Sequence, residues 1–330
     1  MDLSTTYLGF ELPHPLMPGA SPLVDDLDMV RRLEDAGAAA IVMHSLFEEQ
    51  IEMESMATVA HTDPHLDSFG EALSYSPPRE AFELGTDAYL EQIRRIKEAV
   101  RVPVIASLNG TSPGGWLRYA QFMEQAGADA LELNVYTLAT DPEEDSLTVE
   151  TRTLEMVRAV NRAIRIPVAI KLSPFYASFA HFARRLDMAG PAGLILFNRF
   201  YQPSIDIEEL EVRRELQLSS SSELPLRLRW LAILSGRINA SLAVTGGVHT
   251  VHDVIQSVMA GAHAVQIVSA LLRNGPAVLA QLREELSRWL EEHAYESVRQ
   301  MQGSMNLFAC PDPQAYERAN YMLMLQSWKQ

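Results

Sequence analysis

A closed (β/α)₈ TIM barrel, an α/β fold, is what this chain of 330 residues predicts, and three regularities point to it. Short apolar β-rich runs alternate with longer amphipathic segments. Eight such runs occur in order along the chain. Several of the amphipathic segments end on the same Ala-Gly-Ala stop. Strand, helix and glycine stop repeated in this order predict parallel strands joined by right-handed crossovers, and eight of them favour a closed barrel over an open sheet.

The strands are LMPGA (16–20), AAIVMHS (39–45), VPVIASL (102–108), ALELNV (130–135), PVAIKLS (167–173), GLILFN (193–198), SLAVTGG (241–247) and AVQIVS (264–269). Between them, DAYLEQIRRIKEAV, WLRYAQFMEQAGA, VETRTLEMVRAVNRAI and TVHDVIQSVMAGA repeat apolar residues three and four apart, the period of a helix with one buried face. In EDAGAAA, EQAGADA and VMAGAHA the glycine is placed to end a helix before the next strand.

Two segments exceed ordinary barrel connections. Residues 46–85 form a lid insertion, and a second insertion over 199–225 ends in the serine run LSSSSE. Long segments that follow barrel strands lie at the C-terminal face and cover a site. Residues 1–290 therefore read as the barrel with its insertions. Residues 291–330 read as a C-terminal extension whose aromatic and Met content suits packing on the barrel or on a partner subunit.

Composition narrows the function. The 27 basic and 43 acidic side chains give a net charge of −16, which disfavours nucleic acid as a partner. The opening MDLSTTYLGFELPHPL lacks a basic segment followed by an apolar one, and no run reaches the length of a bilayer span, so a soluble, cytoplasmic protein without membrane contact is expected. A single cysteine, Cys310, excludes an internal disulfide and a cysteine-built cluster. The nine histidines show no ligand spacing, so no metal site is expected.

In a barrel the C-terminal strand ends face the active site. Here they carry Ser21, His44, Ser107, Asn109, Asn134, Lys171, Asn198, Thr245 to Gly247 and Ser269. A lysine at the end of VAIK is costly to bury unless a negative group meets it: an anion, an electron-rich cofactor or a neighbouring carboxylate. Gly246 and Gly247, with Ser269 ahead of a helix, suit a cradle of backbone N–H groups for a phosphate, although a Gly-Gly pair also serves a tight turn.

The segments TTYLGFELPHPLMPGASP, SLNG (107–110), LELN (131–134), AIKLSP (169–174), Asn198 and TGGV…AGAHAVQIVSAL together resemble the dihydroorotate dehydrogenase family of flavin enzymes, in order from about residue 5 to 280. The resemblance implies a non-covalent FMN across the barrel mouth, with its phosphate at Gly246, Gly247 and Ser269. It places Ala20 and Ser21 near the ring, Asn109 and Asn134 near flavin and substrate, and Lys171 beside the flavin N1 and C2 carbonyl. An ammonium there stabilises the anionic reduced flavin. His44 stands where the family has a lysine, and His44 and Ser45 are counted with the cofactor-binding positions.

The same resemblance puts the base that removes a substrate C5 proton three residues after Asn134, at Thr137, with Tyr136 as its rival. A threonine hydroxyl is a weak base and needs a proton relay or a water-excluding loop. Asn134, Asn198 and Tyr75 are the expected substrate contacts. The chain departs from the family at Ala139, where an asparagine is expected, and in SYSPP, where Ser74 and Tyr75 replace a lid asparagine. These losses bear on orotate specificity, because each unmet hydrogen bond costs about 1–3 kcal/mol.

Three functions follow: an FMN-dependent oxidoreductase of dihydroorotate or a related cyclic substrate, as in pyrimidine biosynthesis; a Schiff-base lyase using Lys171; and a flavin-binding barrel without dehydrogenase activity. With neither a cysteine cluster nor an amphipathic N-terminal extension, a soluble electron acceptor is expected. A homodimer is compatible with the resemblance, although no sequence feature specifies it.

Overall fold

The computed structural model describes residues 1–47, 86–110, 113–135, 138–199, 202–213, 216–317 and 326–327. Its chain opens with a hairpin. β1 (Thr5–Tyr7) and β2 (Phe10–Leu12) pair antiparallel around Leu8 and Gly9, both at positive φ (52° and 85°). Two successive left-handed residues give the turn a twist that matches the strands. The hairpin lays Tyr7, Leu8 and Leu12 against Ala130, Ala169, Ala243 and Ala264, the small inward residues near the starts of four barrel strands, and so plugs the N-terminal end. Gly193 belongs to the same contact: a Cβ there would stand 2.5 Å from Leu8 Cδ2.

The barrel strands are β3 (Leu16–Pro18), β4 (Ile41–Phe47), β5 (Val104–Asn109), β6 (Ala130–Asn134), β7 (Val168–Leu172) and β8 (Gly193–Leu196). A short antiparallel hairpin follows, β9 (Ser204–Asp206) with β10 (Glu211–Arg213), inside the second predicted insertion. β11 (Ser241–Thr245) and β12 (Ala264–Ile267) complete the set. All eight barrel strands run parallel, in the order β3-β12-β11-β8-β7-β6-β5-β4. The Ala39 N–H donates to the Leu16 carbonyl at 3.0 Å and draws the two ends of the sheet together. Each predicted run overlaps one of these strands, and β4 and β5 continue past theirs to Phe47 and Asn109.

The surrounding helices are α1 (Leu27–Asp35), α2 (Thr86–Ala99), α3 (Pro113–Gln125), α4 (Ser146–Ala163), α5 (Phe179–Asp187), α6 (Leu224–Leu234), α7 (Val251–Ala260), α8 (Ser269–Asn274) and α9 (Ala277–Glu292). Side chains cap the starts of α1, α4 and α7. Asp26 and Asp145 accept from the backbone, and Thr250 with Asp253 forms a reciprocal capping box. Their ends confirm the Ala-Gly-Ala stops, with Gly37, Gly127 and Gly261 at φ of 91°, 100° and 120°.

One irregularity shapes the mouth of the barrel. The β4–β5 register shifts between Val42 and Ser45, a bulge. Tyr89 of α2 spans it, its buried hydroxyl donating to the His44 carbonyl at 2.9 Å and accepting from the Ser107 N–H at 3.0 Å. Its phenol thus replaces ladder bonds that the bulge forfeits.

The chain beyond α9 holds α10 (Val298–Met301) and α11 (Gln314–Glu317). The N–H groups of Gly303 and Met305 donate to Val258 and Met259 of α7 at 3.0 and 2.9 Å, and that of Leu307 donates to Ala232 of α6 at 3.0 Å. Among the described residues no helix is long and apolar enough to cross a membrane, and no cluster of His, Cys, Asp and Glu suits a metal ion. Residues 48–85, which hold most of the predicted lid, lie outside the described residues.

Candidate active site

Strand parity decides which side chains enter the barrel. Above the alanine floor the inward positions turn polar. Glu132 on β6 is fully buried and its Oε1 lies 3.1 Å from Lys171 Nζ on β7. Its Oε2 accepts from Gln266 Nε2 on β12 at 2.8 Å. An isolated charge at this depth costs several kcal/mol, and the ion pair with its added hydrogen bond offsets that cost. The Tyr7 hydroxyl, buried beneath, is pushed far above its usual range by burial and by the charge of Glu132.

One layer higher, Asn109, Asn134 and Lys171 stand level across β5, β6 and β7. Asn134 Nδ2 donates to Ser45 Oγ at 2.5 Å, and Ser45 Oγ is 2.8 Å from Ser107 Oγ. Three buried polar atoms at or just below the rim have no protein partner: Asn134 Oδ1, Gln266 Oε1 and Ser21 Oγ. Buried polar groups are normally satisfied, so these oxygens are hydrogen-bonding capacity reserved for something else. Gly19 permits close approach at the same edge, because a Cβ there would stand 2.8 Å from Val268 Cγ2. Ala20 is half-buried beside it.

The opposite side of the mouth is the Gly246-Gly247 turn, at φ of 82° and 81°. A Cβ on Gly246 would stand 2.7 Å from an Arg227 guanidinium nitrogen, and one on Gly247 would stand 2.7 Å from the Leu224 backbone nitrogen, so only glycine fits. Arg227 is fixed under the turn by donating to the carbonyls of Thr245 (2.5 Å) and Glu223 (2.7 Å). Ser219, from the second insertion, reaches into this corner. Its N–H and hydroxyl donate to Ser269 Oγ at 3.0 and 2.9 Å, and its Oγ accepts from the Gly247 N–H at 3.3 Å.

The structure thus brings Ser45, Asn109, Asn134 and Lys171 to one side of the mouth and Gly246, Gly247 and Ser269 to another. His44 turns elsewhere: its Nδ1 lies 2.5 Å from Asp25 Oδ1, and its ring meets the edge of Tyr89. Asn198 is half-buried at the end of β8, its N–H donating to the Leu172 carbonyl at 2.7 Å. Thr137, Tyr136, Ser74 and Tyr75 lie outside the described residues. Sequence reasoning passed over Glu132, Gln266, Ser219 and Arg227. The first two carried a signal, each being a polar residue at an inward position of an otherwise apolar run, LELN and AVQIVS. Arg227 carried none.

A polar ring at the C-terminal mouth of an eight-stranded parallel barrel is the architecture of a barrel enzyme. Residues 82–290 match the family described as dihydroorotate dehydrogenase. The chain is 27% identical over 315 residues to the catalytic subunit of dihydroorotate dehydrogenase B (NAD(+)) from Thermoplasma volcanium, covering 92% of this chain and 98% of the relative. The subunit of the same name from Methanothermobacter thermautotrophicus is 26% identical over 317 residues, covering 91% and 97%. The NAD-dependent dihydropyrimidine dehydrogenase subunit PreA of Escherichia coli is 20% identical over 332 residues, covering 92% and 77%. The chain belongs to the dihydroorotate dehydrogenase family.

Proposed function

We propose that the protein is an FMN-dependent oxidoreductase acting on dihydroorotate or a related dihydropyrimidine. One observation carries the reading: a buried ammonium, Lys171, fixed by Glu132 beside two level amides, Asn109 and Asn134, with Asn134 Oδ1 and Gln266 Oε1 left unpartnered. These groups fit the edge of a flavin, which offers both donors and acceptors. The glycine turn with Ser269 suits its phosphate, as a cradle of backbone N–H groups.

When bound, the flavin supplies a two-electron acceptor that takes hydride at N5. Lys171 would supply positive charge at the flavin edge, and Glu132 keeps its ammonium from swinging away. Asn134, with Asn198 and Tyr75, orients the substrate. Thr137 removes the C5 proton, and Ala20 and Ser21 line the ring. Electrons leave to a soluble acceptor, in keeping with the NAD(+) in the relatives' names. The Lys171–Glu132 pair also weighs against a Schiff-base lyase, because a nucleophilic amine needs a free lone pair and an ion-paired ammonium has none.

The test is the absorption spectrum of the purified protein followed by anaerobic titration with dihydroorotate and a panel of dihydropyrimidines. The expected outcome is a yellow protein that releases FMN on denaturation and is bleached by at least one member of the panel. A colourless protein that takes up no FMN removes the cofactor. Bound FMN that none of the panel reduces removes the dehydrogenase and leaves a flavin-binding barrel.

A further inference from the structure

We propose that His249 is a fourth element of the phosphate cradle, one whose proton makes cofactor affinity depend on pH. This deepens the flavin reading and rests on it.

The geometry centres on Ser219 Oγ. That oxygen accepts from the Gly247 N–H at 3.3 Å and lies 3.2 Å from His249 Nε2, while its own proton goes to Ser269 Oγ at 2.9 Å. With the serine proton committed, the imidazole contact requires a hydrogen on Nε2. Donors from the turn after β11 and from His249 therefore converge on one oxygen, beside the hydroxyl that begins α8. A phosphate oxygen that takes the place of Ser219 Oγ against Gly247 and Ser269 meets the same donors, the imidazole among them.

The surroundings favour a histidine that is neutral at rest and charged when the phosphate arrives. Burial lowers His249 from the ordinary imidazole range, and Arg273 of α8 pushes the same way. Asp253 of α7 and Glu223, just before α6, oppose this. Both carboxylates are engaged elsewhere. Asp253 Oδ2 accepts from the backbone N–H groups of His249 and Thr250, each at 2.9 Å, and from Ser221 Oγ at 2.7 Å. Glu223 pairs with Arg199 at 3.2 Å. A bound phosphate is the dominant new charge, and it raises the imidazole.

The sign follows by linkage. The bound complex holds one more proton on His249 than the free protein across the interval between the lowered free value and the raised bound value. FMN affinity therefore rises as pH falls through that interval and is lost above it. The phosphate's own second ionisation, near pKa 6, works in the opposite direction, so the comparison is made between variants at one pH.

The experiment measures dissociation constants of FMN and of riboflavin, which lacks the phosphate, for the full-length flavin-free chain at pH 6.5 and 8.5. At pH 6.5, FMN should bind wild type about tenfold more tightly than His249→Gln, the worth of one charge-assisted hydrogen bond, and the ratio should shrink at pH 8.5. Riboflavin should bind both alike. His249→Arg, permanently charged, should keep the affinity at pH 6.5, and its advantage over His249→Gln should not shrink at pH 8.5. Equal FMN affinities at pH 6.5, or an equal loss for riboflavin, would overturn the assignment while leaving FMN binding intact. If wild type binds neither flavin, the assignment and the cofactor reading fall together.

Discussion

Lys171 pairs in strand register with Asn134, yet its ammonium reaches one layer deeper, to the carboxylate of Glu132, 3.1 Å away in the barrel interior. The charge offered to a ligand at the rim is therefore that of a lysine already compensated from below. Replacing Glu132 by Gln leaves the ammonium buried without its counter-charge. Unfolding in denaturant should show a loss of about 3–5 kcal/mol, most of it recovered in the Glu132→Gln/Lys171→Met double variant. In the flavin-loaded protein Glu132→Gln should raise the reduction potential and Lys171→Ala should lower it. Unchanged potentials in both would take this pair away from the flavin edge.

Thr137 is the expected base. Thr137→Ala should slow anaerobic flavin reduction by substrate about 10²-fold or more, the usual worth of a general base, without loss of FMN. Thr137→Cys should restore or increase the rate. If stopped-flow traces for wild type and the two variants superimpose, the proton is removed by another group, with Tyr136 the first to try.

Tyr89 ties the mouth of the barrel to its helical shell. Tyr89→Phe removes the hydroxyl that bridges the His44 carbonyl and the Ser107 N–H, leaving both groups buried near the bulge. A loss of about 1–3 kcal/mol in chemical denaturation is expected. Because Ser45 follows the bulge and receives the Asn134 amide, substrate affinity should fall as well. Full stability with full affinity would show that the bulge holds itself.

His14 sets a pH limit on the fold. Burial, with help from the nearby Arg283, pulls its imidazole down to about 4, and its Nδ1 accepts from the Leu16 N–H at 3.2 Å, which requires the neutral ring. The unfolded chain takes up this proton near pH 6.5. Above that pH the contribution is complete, and it is lost as pH falls from about 6.5 toward 4, by roughly 3 kcal/mol at most. A denaturation series at pH 7, 6, 5 and 4.5 should show a slope that His14→Gln flattens. Parallel slopes in the two proteins would assign the acid sensitivity elsewhere.

The strand ends at Asn109, Asn134 and Lys171 were legible because parity within a short strand is local: once LELN and VAIK are strands, every second residue faces inward. His44 shows where that logic stops. Counting alternate residues cannot see a bulge, and this one is held by a tyrosine from a helix 45 residues further on. Ser219 escaped for a related reason. It lies in a serine run whose composition says only loop, and its meeting with Ser269 spans 50 residues.

The amino-acid pattern alone determined the eight strands, the Ala-Gly-Ala helix stops, the charge balance and the family, because periodicity, glycine placement and motif order are properties of neighbouring residues. Only the tertiary structure decided that Glu132 and Gln266 hold Lys171 from within, that His44 faces Asp25, and that Ser219 and His249 join the glycine turn. Those contacts depend on which strands and loops closure of the barrel brings side by side, a matter of three-dimensional packing that no local stretch encodes.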